Sequence, residues 1–214
     1  SKGERQSTRY VETMGCVSFS ALNVIEAQIN FMLENGLIPE PVRAKMRELG
    51  YIGSDGRVNF SDRALAKMSG TTRRGHYLTT GWDTIRKQGL LPESDWPFPK
   101  DKPFDWDDYY AEIPDELKAK AKKFLELFDV SYEWMVVGGA GAMKQYQEWL
   151  KTAPLQIATA ICAGWGRDPI VKSCAGRVNH ATSMMRADEN INIFDHYEPF
   201  EKKLAPDYPI PWIL

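Results

Sequence analysis

The sequence predicts an α+β protein of two lobes with a cleft between them. Three observations lead there. The first 90 residues carry apolar side chains at helical spacing, punctuated by capping residues and glycines. Residues 92–116 break that pattern with Pro, Asp and aromatics. After one further helical stretch the chain turns mostly to short runs of β-formers. Helices first and strands afterwards give segregated layers. The 214 residues suit one large domain or two small lobes. We divide them into a helical lobe, residues 1–95, and a β-rich lobe, residues 96–214.

Leu22, Ile25, Ile29 and Met32 recur at helical spacing over residues 17–34, and Asn35-Gly36 ends the run. Val17, Ala21, Val24 and Phe31 widen the apolar surface, so this helix is expected to be buried on most sides. "PVRAKMRELG" predicts a second helix, with Pro41 near its start and Gly50 as its stop. "SDRALAKMSG" predicts a third with Ser61 as N-cap, and "LTTGWDTIRKQGL" a fourth ended by Gly89. The stretch 92–116 reads as a long surface connection, its "DWDDYY" run a solvated loop. "PDELKAKAKKFLELF" returns to helix, "VSYEWMVV" predicts a strand, and "GAMKQYQEWLKTAP" a helix. "LQIATAIC", "HATSMM" and "NINIFDHY" predict strands.

Composition narrows the function. Hydrophobic residues are 43% and charged residues 26%, ordinary for a folded domain that buries its own core. The formal net charge is −2 with no basic face, which argues against nucleic acid or anionic membranes as partners. No apolar stretch is expected to reach the roughly 20 residues that span a bilayer, and no signal-peptide pattern opens the chain. The sequence starts at Ser1, so a leader or a removed pro-segment is expected upstream. Three cysteines leave at least one free thiol. Cys162 and Cys174 either pair or stay as buried thiols, and spacing does not choose between these. The Asn59-Phe60-Ser61 sequon is too common a pattern to fix the compartment.

Cys16 directly precedes the first long helix. There the macrodipole and the free N–H groups of the first turn favour a thiolate and can hold an oxyanion. A buried apolar cysteine fits the position equally well. A thiolate nucleophile wants a base, and the chain has three histidines. His76 sits in "GTTRRGHY", close to arginines that disfavour its protonated form. His196 adjoins Asp195. His180 opens a predicted strand, and Asp195, fifteen residues on, can return beside it on the next strand and orient the imidazole. A core histidine with a turn aspartate is the plainer alternative.

These residues carry a resemblance. "MGCVSFSALNVIE" resembles the nucleophile segment of papain-like cysteine peptidases, with Cys16, Phe19, Ser20, Ala21 and Glu26 in register. "NFSDRALAKMSG", "GLLPESDWPF", "TAPLQIATAI" and "VNHATSMM" are similar to four later motifs of that family, in family order and across most of the chain. The resemblance implies a papain-like two-lobe fold and a polypeptide substrate. It also implies hydrolysis through Cys16 and His180, with no metal or other cofactor. The departures are specific. Val17 replaces an aromatic, and the family's disulfide cysteines before the nucleophile and in its later Cys-x-Gly-Gly motif are absent. "FDHYEPF" stands where an orienting Asn is usual, which puts Asp195 in that role. The pattern is closest to divergent bacterial or bacteriophage members. The oxyanion glutamine usually lies six residues before the nucleophile, where this chain has Tyr10. Gln6 takes the role if residues 7–13 loop out, whereas Glu12 would oppose an oxyanion. Gly75 is the candidate for backbone pairing with substrate, an ordinary turn being the alternative.

"VVGGAGAMK" fits neither the dinucleotide nor the P-loop template and reads as a strand-to-helix turn. No His/Cys/Asp group has metal-ligand spacing. Two other functions fit the same scaffold. One is a relict module with a structural or binding role, for example in a phage particle. The other is acyl transfer or deamidation by the same thiol–imidazole pair.

Overall fold

The computed structural model describes residues 5–99, 103–137, 141–172, 174 and 176–214. Helix α1 spans Cys16–Glu34, and every residue from Val17 to Glu26 is buried. It therefore runs through the molecule rather than over it. One expectation fails here: Phe31 is 59% exposed, because the last turns of α1 emerge from the core. Another is corrected by the same helix. By length and composition α1 is apolar enough to cross a membrane, but 67% of that window is buried within the fold, as befits a central core helix.

Helices α2 (Glu40–Glu48), α3 (Asp62–Met68) and α4 (Leu78–Gln88) pack around α1. Ser61 caps α3, its Oγ accepting from Ala64 N–H at 3.0 Å. Gly89 ends α4 at φ 76°, and a Cβ there would lie 1.9 Å from the Ala121 carbonyl oxygen. Only glycine allows both the turn and the close approach of the backbone at Ala121.

The connection after residue 92 is more structured than its composition suggests. Asp105 and Asp108 form a reciprocal capping box that starts α5 (Trp106–Tyr109). Phe98, Phe104, Tyr109 and Tyr110 are buried together against Phe19 and Ala66. The "DWDDYY" run is thus a short helix anchored by buried tyrosines, not a solvated loop. Its acidic residues cap while its aromatics form a core. Helix α6 (Asp115–Lys122) continues into a 3-10 turn, Lys123–Glu126. Phe124 packs edge-on against Tyr51 and Phe60, so the helical layer reaches past residue 120.

No strand forms at "VSYEWMVV". Only Met135 N–H reaches a strand neighbour, bonding the Ile213 carbonyl. Tyr132 instead bonds Asp83 and lies over Trp82. Side-chain docking on α4 overrides β-propensity, which is weak without a paired neighbour. The glycine turn predicted in "VVGGAGAMK" falls largely at 138–140, outside the described residues; Gly141 precedes α7 (Ala142–Trp149).

Five antiparallel strands follow: β1 (Leu155–Thr159), β2 (His180–Ala187), β3 (Ile191–Phe194), β4 (Glu201–Leu204) and β5 (Trp212–Ile213). They are ordered β4-β3-β2-β1-β5. Strands β4 and β5 were not apparent in the sequence, because "EKKL" and a two-residue edge carry no clear alternation. Helix α1 lies against β2, with Ala158 and Ala181 in its core cluster. Their small size lets the helix approach the sheet. The second core cluster, built on Ile157, Met184, Ile191 and Ile193, lies within the β-rich lobe.

A buried polar joint fixes α1 on the sheet. Gln156 on β1 accepts from Trp82 Nε1–H of α4 at 2.6 Å. It donates to the Val17 carbonyl at 2.9 Å and to Ser20 Oγ at 2.7 Å. Ser183 of β2 donates to the Ser20 carbonyl at 3.1 Å. Cys162 and Cys174 are joined as a disulfide across Cα atoms 6.1 Å apart, leaving Cys16 as the free cysteine among the described residues.

Candidate active site

Cys16 is the first residue of α1, and no side chain caps that turn. Its first-turn N–H groups are therefore available to a ligand. Met14, two residues earlier, has φ 57°, a left-handed conformation rare outside glycine. The turn is held by Glu12, whose Oε1 accepts from Met14 N–H at 3.0 Å.

His180 opens β2, opposite Thr159 of β1. It is buried, and its Nε2 lies 2.6 Å from Asp195 Oδ1. The Cys16 side chain is its neighbour on the helical side. Cys16, His180 and Asp195 thus stand in one row from the helical lobe to the sheet, with a hydrogen bond joining His180 to Asp195. Burial disfavours imidazolium, but the hydrogen bond to Asp195 and the neighbouring Cys16 outweigh it, and the His180 pKa is pushed up to about 9. Burial likewise opposes ionisation of Asp195. The hydrogen bond from His180 and the nearby positive groups prevail and hold the carboxyl well below its usual range.

Three groups surround the row. Trp165 Nε1–H and Lys202 Nζ both donate to Asp195 Oδ2, at 2.7 and 2.8 Å. Tyr197 lies beside the imidazole with ring centroids 5.2 Å apart. Sequence reasoning missed Trp165 and Lys202. Trp165 sits in an irregular loop, and Lys202 is indistinguishable in sequence from the surface lysines. Tyr197 lies inside the "FDHYEPF" stretch, beside the candidate Asp195, which is the only signal for it.

Gln6 is buried next to the row, with Nε2 donating to Glu12 Oε1 and Tyr197 Oη, each at 2.8 Å. Tyr197 in turn donates to Glu12 Oε2 at 2.9 Å. Tyr10 points outward and lies near Phe104. His196 is buried against Phe19, and burial drives its pKa down to about 3, so it is a neutral core residue. His76 is half-buried, its Nε2 3.0 Å from the Ser69 carbonyl. Its pKa is lowered by burial, whereas the sequence suggested the neighbouring arginines as the cause. Of those arginines, Arg73 lies over Trp106 instead.

A cavity of about 600 Å³ opens beside the row, lined by Cys16, Gly75, Trp134, Val178, His180 and Trp212 among others. Gly75 has φ 73°, and a Cβ there would lie 3.7 Å from the Met14 carbonyl. It lines the cleft within a tight turn, its N–H donating to the Thr72 carbonyl at 2.8 Å and its carbonyl accepting from Thr72 Oγ1 at 3.1 Å.

No family model and no curated protein sequence matches this chain. Solved structures do. A cysteine protease of Carica candamarcensis in complex with E-64 superposes with a TM-score of 0.58 at 11% identity, covering 100% of this chain and 92% of that one. Xylellain, a cysteine protease from Xylella fastidiosa, gives 0.59 at 12%, covering 99% and 79%. Digestive procathepsin L 3 of Tenebrio molitor gives 0.60 at 13%, covering 97% and 62%. Helices and an antiparallel sheet arranged this way, matched along the whole chain, are the α+β two-lobe fold of the papain-like cysteine proteases.

Proposed function

We propose that this chain is a thiol peptidase acting through Cys16, His180 and Asp195, and that its polypeptide substrate enters the cleft past Gly75, which must exchange its Thr72 bonds to pair with the substrate backbone. The observation that carries the reading is the placement of Cys16, at the head of a buried helix, in one cavity with His180, which is hydrogen-bonded to Asp195. Asp195 accepts from His180 Nε2–H, which leaves Nδ1 to serve Cys16. His180 takes the thiol proton, and the sulfur attacks a peptide carbonyl entering from the cleft. The oxyanion that forms meets the Cys16 N–H at the start of α1. His180 then protonates the leaving amine, and water releases the acyl-enzyme with His180 again as base. Gln6 is the proposed second oxyanion donor. To act, its amide must exchange Glu12 or Tyr197 for the oxyanion, because both N–H groups are engaged.

The departures from the family pattern favour a divergent member of bacterial or bacteriophage type. A pro-segment, removed before activity, fits the same reading. The test compares the chain with Cys16→Ala on a peptide library. Cleavage that disappears in the variant is expected, with iodoacetamide labelling Cys16 alone at mildly acidic pH. Equal cleavage by both proteins sinks the proposal. The engaged Gln6 amide favours a second reading, a relict module that binds peptides without cutting them. Peptide retention in the cleft without product is its signature.

A further inference from the structure

We propose that Lys202 is a positioning residue whose buried charge balances Asp195 and holds that carboxylate against His180; this rests on the peptidase reading of the site. The geometry is that of a fully used ammonium. An ammonium has three N–H donors. Here they meet Asp195 Oδ2 at 2.8 Å and the carbonyls of Tyr197 and Pro199. The side chains of Lys202 and Asp195 are 2% and 0% exposed. Trp165 closes the same oxygen from the other side, and its ring centroid lies 5.7 Å from Nζ. Asp195 Oδ1 is left pointing at His180.

Charge arithmetic gives this arrangement a function beyond packing. With Cys16 as thiolate and His180 as imidazolium, the buried row holds Asp195 and Lys202 as a second opposite pair, and the four charges sum to zero. The remaining titratable groups facing it are the neutral His196, Tyr197, and Glu12 beyond Tyr197. Without Lys202 the row carries a net negative charge, and one carboxylate faces His180 with no other direct cation partner. His180 would then hold its proton more tightly and release it less readily to a leaving amine. Lys202 tempers the carboxylate, so that Asp195 orients the imidazole without over-stabilising imidazolium.

The test follows the His180 ring nitrogens by NMR through a pH titration of the full chain. Two contacts of 2.6 and 2.8 Å across one carboxylate separate the cations by roughly 7 Å, which at an effective dielectric near 20 is worth about 1.7 pH units. Lys202→Met is expected to raise the His180 midpoint by that amount, and Lys202→Arg to leave it near the wild-type value. Asp195→Asn/Lys202→Met, which removes both charges, is expected to lack the rise. A midpoint unmoved in Lys202→Met overturns the proposal. If Lys202→Met fails to fold, the double variant decides. Folding restored by removing the carboxylate supports charge balance, and continued unfolding shows that packing alone required the lysine. The readout needs no turnover. A wild-type chain that cleaves nothing while the shift is seen refutes the peptidase reading and leaves the charge balance standing.

Discussion

Replacing Gln156 with Leu tests how the lobes are joined. The change keeps approximate volume and removes three buried hydrogen bonds, one accepted from Trp82 and two donated to Val17 and Ser20. Their costs differ. Ser20 Oγ keeps its one proton shared between the Cys16 carbonyl at 2.7 Å and the Val17 carbonyl at 3.2 Å. Each of these two lost bonds should therefore cost only about 0.5–1.5 kcal/mol. Trp82 Nε1–H has no second acceptor among the bonds of the described residues, and leaving it buried and unpaired costs about 1–3 kcal/mol. The sum is about 2–6 kcal/mol, a large share of a typical domain's stability. Urea unfolding of Gln156→Leu, Trp82→Phe and the double variant measures it. Trp82→Phe removes the orphan donor, so the double variant should be more stable than the two single effects predict by at least ~1 kcal/mol. A cost below ~0.5 kcal/mol for Gln156→Leu, or strict additivity, refutes the joint. Because Val17 follows the nucleophile, alkylation of Cys16 should also slow in Gln156→Leu.

The raised His180 pKa makes stability depend on pH. Its folded value, about 9, exceeds the ordinary 6.5, so the contribution is full below pH ~6.5 and is lost as pH rises through 9. The unfolding free energy from urea titrations should fall between pH 7 and 10 by an amount on the order of 3 kcal/mol, and Asp195→Ala should flatten that slope. Gly89→Ala should cost more than ~3 kcal/mol, since its Cβ would meet the Ala121 carbonyl in a positive-φ turn; thermal unfolding checks this. Ser61→Ala should cost about 1 kcal/mol or slightly more by denaturation, because the same hydroxyl caps α3 and donates to the Trp96 carbonyl.

The helices were legible because each carries its own boundary signals. Ser61 and Gly89 specify where α3 begins and α4 ends before any tertiary contact forms. The strand predicted at "VSYEWMVV" failed for the opposite reason. β-propensity becomes a strand only when a neighbour pairs with it, and α4 claims Tyr132 first. The aromatic connection misled through composition: Asp105 and Asp108 read as solvated charges, yet they cap a helix whose tyrosines are buried. In the site, Cys16, His180 and Asp195 could be nominated from residue type and order. Lys202 could not. Its importance lies wholly in burial, and a lysine in "EKKL" reads as surface until β4 turns it inward.

The geometry of Cys16 is fixed from two directions, and the second explains the backbone before it. On one side Gln156 seats α1 on β1. On the other, the segment ahead of the nucleophile is tied to the residues after Asp195. Gln6 N–H bonds the His196 carbonyl, Gln6 and Glu12 both bond Tyr197, and Arg5 pairs with Glu198. Residues 7–11 loop out between those anchors, closed by a bridge from Ser7 to Glu12. Glu12 then pulls on the Met14 N–H, and Met14 takes up the left-handed turn that delivers Cys16 to the helix start. A non-glycine residue holds such a conformation only where its surroundings over-determine it. Here the surroundings come from both lobes, so a displacement of the 195–199 turn would be felt at Cys16 through Glu12 as well as through His180.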